Sequence, residues 1–300
     1  MRTLSVVIPA YNEAPNLPDV IASVPLAELA AEGWDAEVIV VDNASTDGTA
    51  DVARALGARV VHQPEKGYGN AYMAGFGAAT GEVVATGDAD CTYPFDALPR
   101  LLRTLVEQDV EFMTTDRLRR ENRHAMKPSH TAANHALSAL SRRLFRNGLR
   151  DSQSGMWIFR RHVWDGLDVR SGGMAFSQEI KNAATLAGYR YAEVPIEYRP
   201  RQGEVKLNAL PDGAANLRQL FEHRFRRPAA PVVEPARTDN VAPTDLVEEV
   251  PVAKTLVPGP RHEQQSADAV EVGASDQPDQ PSRPARSWRP NRRTGQYETV

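Results

Sequence analysis

The chain opens on the apolar run Leu4-Ser5-Val6-Val7-Ile8 and returns to such runs at short intervals. Short apolar runs bounded by turn residues are the mark of strands buried on both faces of a sheet. Strands are therefore predicted over Leu4–Ile8, Glu37–Asp42, Arg59–His62, Glu82–Asp88 and Val110–Thr114. Between them the apolar positions follow the three-and-four spacing of amphipathic helices. That spacing predicts helices over Asn16–Leu29, Thr49–Leu56, Gly69–Ala79 and Phe95–Gln108. Pro15 and Gly33 flank the first helix, Gly57 stands where a left-handed cap would follow the second, and Gly81 closes the third. The regular alternation of strand and helix implies an α/β protein with a doubly wound, mostly parallel sheet. The second half is more mixed. It carries predicted helices over Ser129–Asn147 and Ser177–Leu186, and predicted strands over Gly155–Phe159 and Tyr191–Tyr198.

The pattern stops at about Arg227. Residues 228–300 hold half of the chain's 22 prolines, together with many acidic, Gln and Ser residues and no helical or strand period. Such a segment buries too little apolar surface to offset its ordering entropy. The expected organisation is one folded domain over 1–227 and a disordered, Pro-rich tail over 228–300. A formal net charge of −4 argues against nucleic acid as a partner. A single cysteine, Cys91, excludes an internal disulfide framework and fits a reducing compartment. There is no basic leader followed by a long apolar segment, and no spanning stretch of about 18–20 apolar residues. The chain is expected to be soluble or peripheral to a membrane.

Chemistry concentrates at the predicted carboxyl ends of the strands, the edge where open α/β sheets bind ligands. Asp88-Ala89-Asp90 follows the fourth strand. Two carboxylates one residue apart can grip a hard divalent cation such as Mg²⁺ or Mn²⁺, and through it a diphosphate. Three polar loops should join them: Pro9-Ala10-Tyr11-Asn12-Glu13, Asp42 to Thr49, and Lys66-Gly67-Tyr68-Gly69-Asn70. Asp42 could accept from a base or a ribose hydroxyl. Gly67 and Gly69 would let the backbone approach a phosphate at a helix start. A dehydrogenase fingerprint is excluded, since position 72 is Tyr where the third glycine belongs. A calcium-binding EF-hand loop also fails, lacking its glycine and terminal glutamate.

On these stretches the chain resembles glycosyltransferase family 2 enzymes of the GT-A fold, a Rossmann-like architecture. Within that family it is similar to the dolichyl- or polyprenyl-phosphate sugar synthases. Val6 to Glu13, Val41 to Thr49, Lys66 to Ala71 and Gly87 to Pro94 carry the resemblance, as do Asp151 to Gly155, Phe176 to Glu179 and Glu193 to Arg201. It covers about residues 3 to 222. The resemblance implies that Pro9, Tyr11, Glu13, Asp42, Lys66, Gly67 and Asp88 contact the donor nucleotide. It implies a metal held by Asp88 and Asp90, with Thr92 where the related enzymes often carry Gln. Arg117, Arg199, Arg201 and Lys206 would receive an acceptor phosphate, with the loop around Gly203 mobile in related enzymes. Asp88, Asp90, Arg117, Asp151 and Glu179 make up the expected catalytic set.

The implied reaction is inverting, metal-dependent transfer of a sugar from a nucleotide-diphosphate sugar to polyprenyl phosphate, giving a β-linked product. A lipid phosphate is already anionic, so no general base is obligatory. Transfer to a hydroxyl of a glycan or small metabolite is the alternative, with Asp151 or Glu179 as base. An inactive nucleotide-sugar-binding scaffold is the second alternative. In the helix predicted over Ser129–Asn147, Ala133, Leu137, Leu140 and Leu144 share a face beside Arg142, Arg143 and Arg146. An apolar stripe next to arginines suits a membrane interface. The expected setting is the cytoplasmic, inner face of the cell membrane, with an integral-membrane protein as a further expected partner.

Overall fold

The computed structural model describes residues 1–203 and 209–226, and two short strands at 288–290 and 297–299. Seven strands form one sheet: β1 (Arg2–Ala10), β2 (Trp34–Asp42), β3 (Arg59–His62), β4 (Val83–Thr86), β5 (Phe112–Asp116), β6 (Trp157–Arg160) and β7 (Tyr191–Pro195). Their spatial order is β3-β2-β1-β4-β6-β5-β7. β6 runs antiparallel to both β4 and β5, while every other pair in the sheet is parallel. The sheet is thus Rossmann-like and mostly parallel, as the alternation predicts.

The continuous apolar runs have a direct structural reason. Val6 and Ile8 of β1 face one core with Val38, Val40, Ala85 and Ile158. Val7 faces the other with Ile39, Val41, Val84, Phe112 and Trp157. A strand with a core on each face has no polar side to show. α5 (Leu98–Glu107) covers the first face with Leu98, Leu101, Leu102 and Leu105, all fully buried. α4 (Tyr68–Ala78) and α8 (Phe176–Leu186) cover the second, where Tyr72 and Phe176 stack at 5.9 Å.

The helix predicted over Asn16–Leu29 is corrected to two, α1 (Leu17–Ala22) and α2 (Leu26–Ala31). Pro25 lies between them; it lacks an N–H and restricts its predecessor, so the ladder breaks there. The remaining helices are α3 (Thr49–Ala55), α6 (Pro128–Phe145), α7 (Arg161–Asp165) and α9 (Ala209–Phe225). Gly57 follows α3 with φ +82°, as the sequence predicts.

α6 and α9 bury unusual faces. The buried residues of α6 are Ser138, Ser141 and Phe145, while Leu137, Leu140 and Leu144 are only partly covered and Ala133 is exposed. α9 docks through amides: Gln178 Nε2 of α8 donates to Asn216 O (2.6 Å) and Gln219 Oε1 (2.8 Å). Asn216 Nδ2 donates to Gln153 Oε1 at 3.1 Å. Most of the tail expected over 228–300 lies outside the described residues. Within it, β8 (Trp288–Pro290) and β9 (Tyr297–Thr299) pair antiparallel.

Candidate functional site

The carboxyl ends of β1, β2, β4 and β5 lead into the loops that sequence reading singles out. β6, being antiparallel, starts at the same edge, so the loop that enters it, Asp151 to Gly155, joins them. This is why a residue from the middle of the chain meets the Asp88–Asp90 pair.

Asp88 Oδ1 accepts from the hydroxyls of Tyr68 (3.0 Å) and Tyr72 (3.4 Å). Burial, then the neighbouring Asp90 charge, push its pKa up to about 7. Burial, then the Asp88 charge, hold both tyrosine hydroxyls well above their ordinary range, so they remain neutral donors. Asp90 is buried, and the residue after it, Cys91, turns the chain with φ +64°. Its Oδ1 accepts from Thr92 N (3.1 Å) and Thr92 Oγ1 (2.6 Å). Thr92 therefore orients Asp90 through its hydroxyl proton. Asp90 Oδ2 lies 2.7 Å from Arg201 Nη2, yet no donor is aimed along a hydrogen bond to it. The ion pair and the missing hydrogen bond are compatible: the charges meet, but the N–H points elsewhere. A buried carboxylate oxygen without a directed donor, beside a second carboxylate, fits a divalent cation, and Arg201 balances the charge in its place. Among the described residues no cluster of three His, Cys, Asp or Glu side chains surrounds such a position. The rest of a metal shell would have to come from substrate and water.

Arg117 follows β5 and is buried. Its Nε and Nη2 grip Asp151 bidentately at 2.7 and 3.0 Å, and its backbone N–H donates to the same carboxylate at 3.1 Å. The guanidinium also donates to Tyr93 Oη at 3.3 Å and lies 5.2 Å from the Tyr198 ring. Burial opposes ionisation of Asp151, but the Arg117 cation prevails and its pKa lies below the ordinary value. Glu193 supports the loop by accepting from the N–H groups of Arg150 (2.7 Å) and Asp151 (2.9 Å). Lys181 Nζ, fully buried, donates to Asp151 O at 2.8 Å. Glu179 stands apart from this cluster. It is fully buried and accepts from Ser171 N (2.7 Å), Arg170 N (3.2 Å) and Arg226 Nη2 (2.9 Å).

The expected nucleotide residues gather around β1 and β2. Pro9 pairs in register with Val41. Lys66 Nζ donates to Tyr11 Oη at 2.6 Å and sits 4.3 Å over the Tyr11 ring. Glu13 N donates to Thr49 Oγ1 (2.9 Å), and Glu13 Oε2 accepts from Asn16 Nδ2 (2.6 Å). Asp42 accepts from Ser45 N (3.1 Å) and faces His62 Nδ1 (3.1 Å). Gly67 N donates to Asn43 Oδ1 at 2.7 Å. Gly67 and Gly69 do not present open backbone to a phosphate, contrary to the sequence reading. A Cβ on either would collide with Gly172 O or Ser171 O.

The described phosphate-binding candidates are each held by an acidic side chain. Arg117 is engaged by Asp151. Arg199 Nη2 turns to Asp96 (2.9 Å) and Glu197 (3.3 Å). Arg201 lies against Asp90, and against the effect of burial its charge and that of Arg117 both pull the Asp88 pKa down. Arg201 is held there by backbone bonds from Gln202 N to Asp90 O and from Arg199 N to Thr92 O, both 3.0 Å. Lys206 lies outside the described residues.

Several site residues escape sequence reading. Tyr68 and Tyr72 sit four apart on one face of α4, a signal that could have been read as a pair of hydroxyls aimed together. Gly155 is another: a Cβ there would collide with Tyr68 Oη and lie 3.4 Å from Asp88 Oδ1. Tyr93 Oη accepts from Gly155 N at 2.6 Å and so links the two halves of the site.

An acidic pair at the edge of a Rossmann-like sheet, ringed by nucleotide-type loops, matches a known class. The description "Glycosyl transferase family 2" matches residues 5–167, and the chain belongs to that family and is a glycosyltransferase. It is 35% identical over 212 residues to the dolichyl-phosphate hexose transferase of Haloferax volcanii, covering 71% of this chain and 90% of that protein. It is 37% identical to the low-salt glycan biosynthesis hexosyltransferase Agl6 of the same organism, over 73% of this chain. The match spans only 53% of Agl6. Among solved structures, it resembles glucosyl-3-phosphoglycerate synthase from Mycobacterium tuberculosis in complex with Mn²⁺, UDP and phosphoglyceric acid. The identity there is 26%, with a TM-score of 0.57, covering 76% of this chain and 80% of that one.

Proposed function

We propose that the chain transfers a hexose from a nucleotide-diphosphate sugar to a polyprenyl phosphate, with inversion and with a divalent cation. The observation that carries the reading is the Asp88–Asp90 pair, Asp88 half-buried and Asp90 buried, with Asp90 Oδ2 lacking a directed donor. Asp88 and Asp90 would hold Mg²⁺ or Mn²⁺, with Thr92 orienting Asp90. The ion would stabilise charge developing on the departing nucleoside diphosphate. Mn²⁺ and UDP in the solved relative support this assignment. Tyr11, Glu13, Asp42 and Lys66 would bind and orient the nucleoside. The Tyr68 and Tyr72 hydroxyls hold Asp88 from the far side. Arg201 would leave Asp90 and turn to anionic substrate oxygens, for which its planar fork is suited.

Two observations favour a phosphate acceptor. One relative, matched over 90% of its own length, is named a dolichyl-phosphate hexose transferase. Asp151 and Glu179, the candidate bases for a hydroxyl acceptor, are fully buried and engaged by cations and amides. Asp151, its pKa depressed, is a weak proton acceptor. The glucosyl-3-phosphoglycerate synthase likeness favours a hydroxyl acceptor as the second reading. A polyprenyl acceptor puts the chain at a membrane surface on the cytoplasmic side, with or without an integral-membrane partner. Among the described residues no helix is long and apolar enough to cross a membrane. We place the catalytic domain at 1–227 and the tail at 228–300.

The test is incubation with Mg²⁺ or Mn²⁺, a panel of UDP- and GDP-sugars, and either a short-chain polyprenyl phosphate or phosphoglyceric acid. Mass spectrometry then reads the product. A glycolipid formed only with metal, β-linked by NMR and lost in Asp90→Ala, is the expected result. Product on phosphoglyceric acid alone would select the second reading.

A further inference from the structure

Protein fills the space over the first turn of α4. The segment 168–174 crosses it as a strap. Asn70 N donates to Gly172 O at 3.0 Å, and a Cβ on Gly172 would collide with Asn70 Oδ1. The glycines at 67 and 69 are what allow this backbone-on-backbone approach. The strap is fastened from behind. Glu179 Oε2 accepts from the N–H groups of Arg170 and Ser171, and its Oε1 accepts from Arg226 Nη2 at 2.9 Å. Arg226 Nη1 donates to Asp168 O at 3.2 Å, so one guanidinium touches both the strap and its anchor. Arg226 directly follows α9.

The other side of the strap leads to the donor site. The turn it covers carries Tyr68, bonded to Asp88, and Lys66, bonded to Tyr11, lies just before it. Packed elements have discrete arrangements, so a loosened strap shifts what rests on it. We propose that Arg226 is a positioning residue for the nucleotide-sugar donor. Its ion pair with Glu179 holds the 168–174 strap on α4 and thereby fixes Lys66 and Tyr68. Arg226 itself touches neither donor nor reacting atoms. The inference rests on the donor-site reading proposed above, and it gives the end of α9 a role in donor binding that no motif announces.

The experiment compares full-length wild type with Arg226→Gln, Arg226→Lys and Lys66→Ala. UDP and GDP binding with Mn²⁺ is measured by calorimetry, and amide hydrogen exchange is followed across 168–174. Arg226→Gln keeps an N–H donor but removes the charge. It should weaken nucleotide binding about fivefold or more and deprotect the Arg170 and Ser171 amides. Arg226→Lys should recover most of the affinity. A merely structural role would lower the fraction of binding-competent protein and leave the Kd unchanged, which overturns the proposal. Wild-type affinity in Arg226→Gln with weakened binding in Lys66→Ala also overturns it. Unchanged binding in both variants sinks the donor-site reading, and this inference with it. Should Arg226→Gln not fold, the Arg226→Lys affinity decides: an unaltered Kd with deprotected strap amides refutes the coupling, and a weakened Kd supports it.

Discussion

Asp151 is fully buried, and burial alone would favour its protonated form. The Arg117 fork reverses that preference and holds the pKa below the ordinary 3.8. The folded protein therefore binds fewer protons at this site than the unfolded chain does in acid. The resulting stability is present above about pH 4 and is lost as pH falls through the lower folded value. Asp151→Asn should flatten that acid limb in denaturant titrations repeated across pH. It should also cost about 3–5 kcal/mol near neutrality, because Arg117 stays buried without its counter-charge. Asp90 poses the opposite case, a carboxylate whose outer oxygen has charge beside it but no directed hydrogen bond. Asp90→Asn keeps the shape and removes the charge. Turnover should fall by about 10²-fold or more, and calorimetry should show metal-dependent nucleotide binding weakened while circular dichroism stays native.

At the scale of the element, glycines do work that side-chain lists miss. Gly155 stands just before β6, with Tyr68 Oη on one side and Asp88 within reach. Gly155→Ala should displace Tyr68 and raise the donor KM, measured with acceptor saturating, with a stability loss of about 1–3 kcal/mol. The strands and the helices over the sheet were legible because their burial is apolar and periodic. Val6, Val7 and Ile8 each meet a core, so their run is unbroken. The loops at the strand ends were legible as motifs, and the acidic pair among them. Three things were hidden, each for a physical reason. Pro25 splits a helix whose apolar spacing continues across the break. β6 runs antiparallel, which no local pattern reports, so the bond between Arg117 and Asp151 could not be read from a separation of 34 residues. α9 has a largely inverted pattern: Asn216, Gln219 and His223 are buried beside Leu220, while Leu217, Phe221 and Phe225 face outward. Periodicity rules assume apolar residues inside, and here an amide ladder is inside.

For the whole molecule, that inversion bears on where the protein works. Leu217, Phe221 and Phe225 are 44%, 43% and 74% exposed, spaced four apart on one face of α9. α9 packs on α6 through Phe145 and His223, whose rings lie 5.2 Å apart, and through Arg224 Nε donating to Leu144 O. On α6 the partly covered Leu137, Leu140 and Leu144 share a helix face, with Arg142 and Arg143 in its last turn. Apolar residues ringed by arginines favour an anionic lipid surface, and each basic group near it adds about 1 kcal/mol. On the membrane reading proposed above, the contact expected for α6 alone would be shared by α6 and α9. In co-sedimentation, the protein should bind vesicles of mixed neutral and anionic lipid, and bind them less as salt rises. Phe221→Asp with Phe225→Asp should release it. Both side chains are exposed, so turnover on a short, water-dispersed acceptor should stay within about twofold of wild type, as expected for surface changes. Turnover on acceptor embedded in vesicles should drop with the lost binding. Equal vesicle binding by wild type and double variant would remove α9 from the membrane contact.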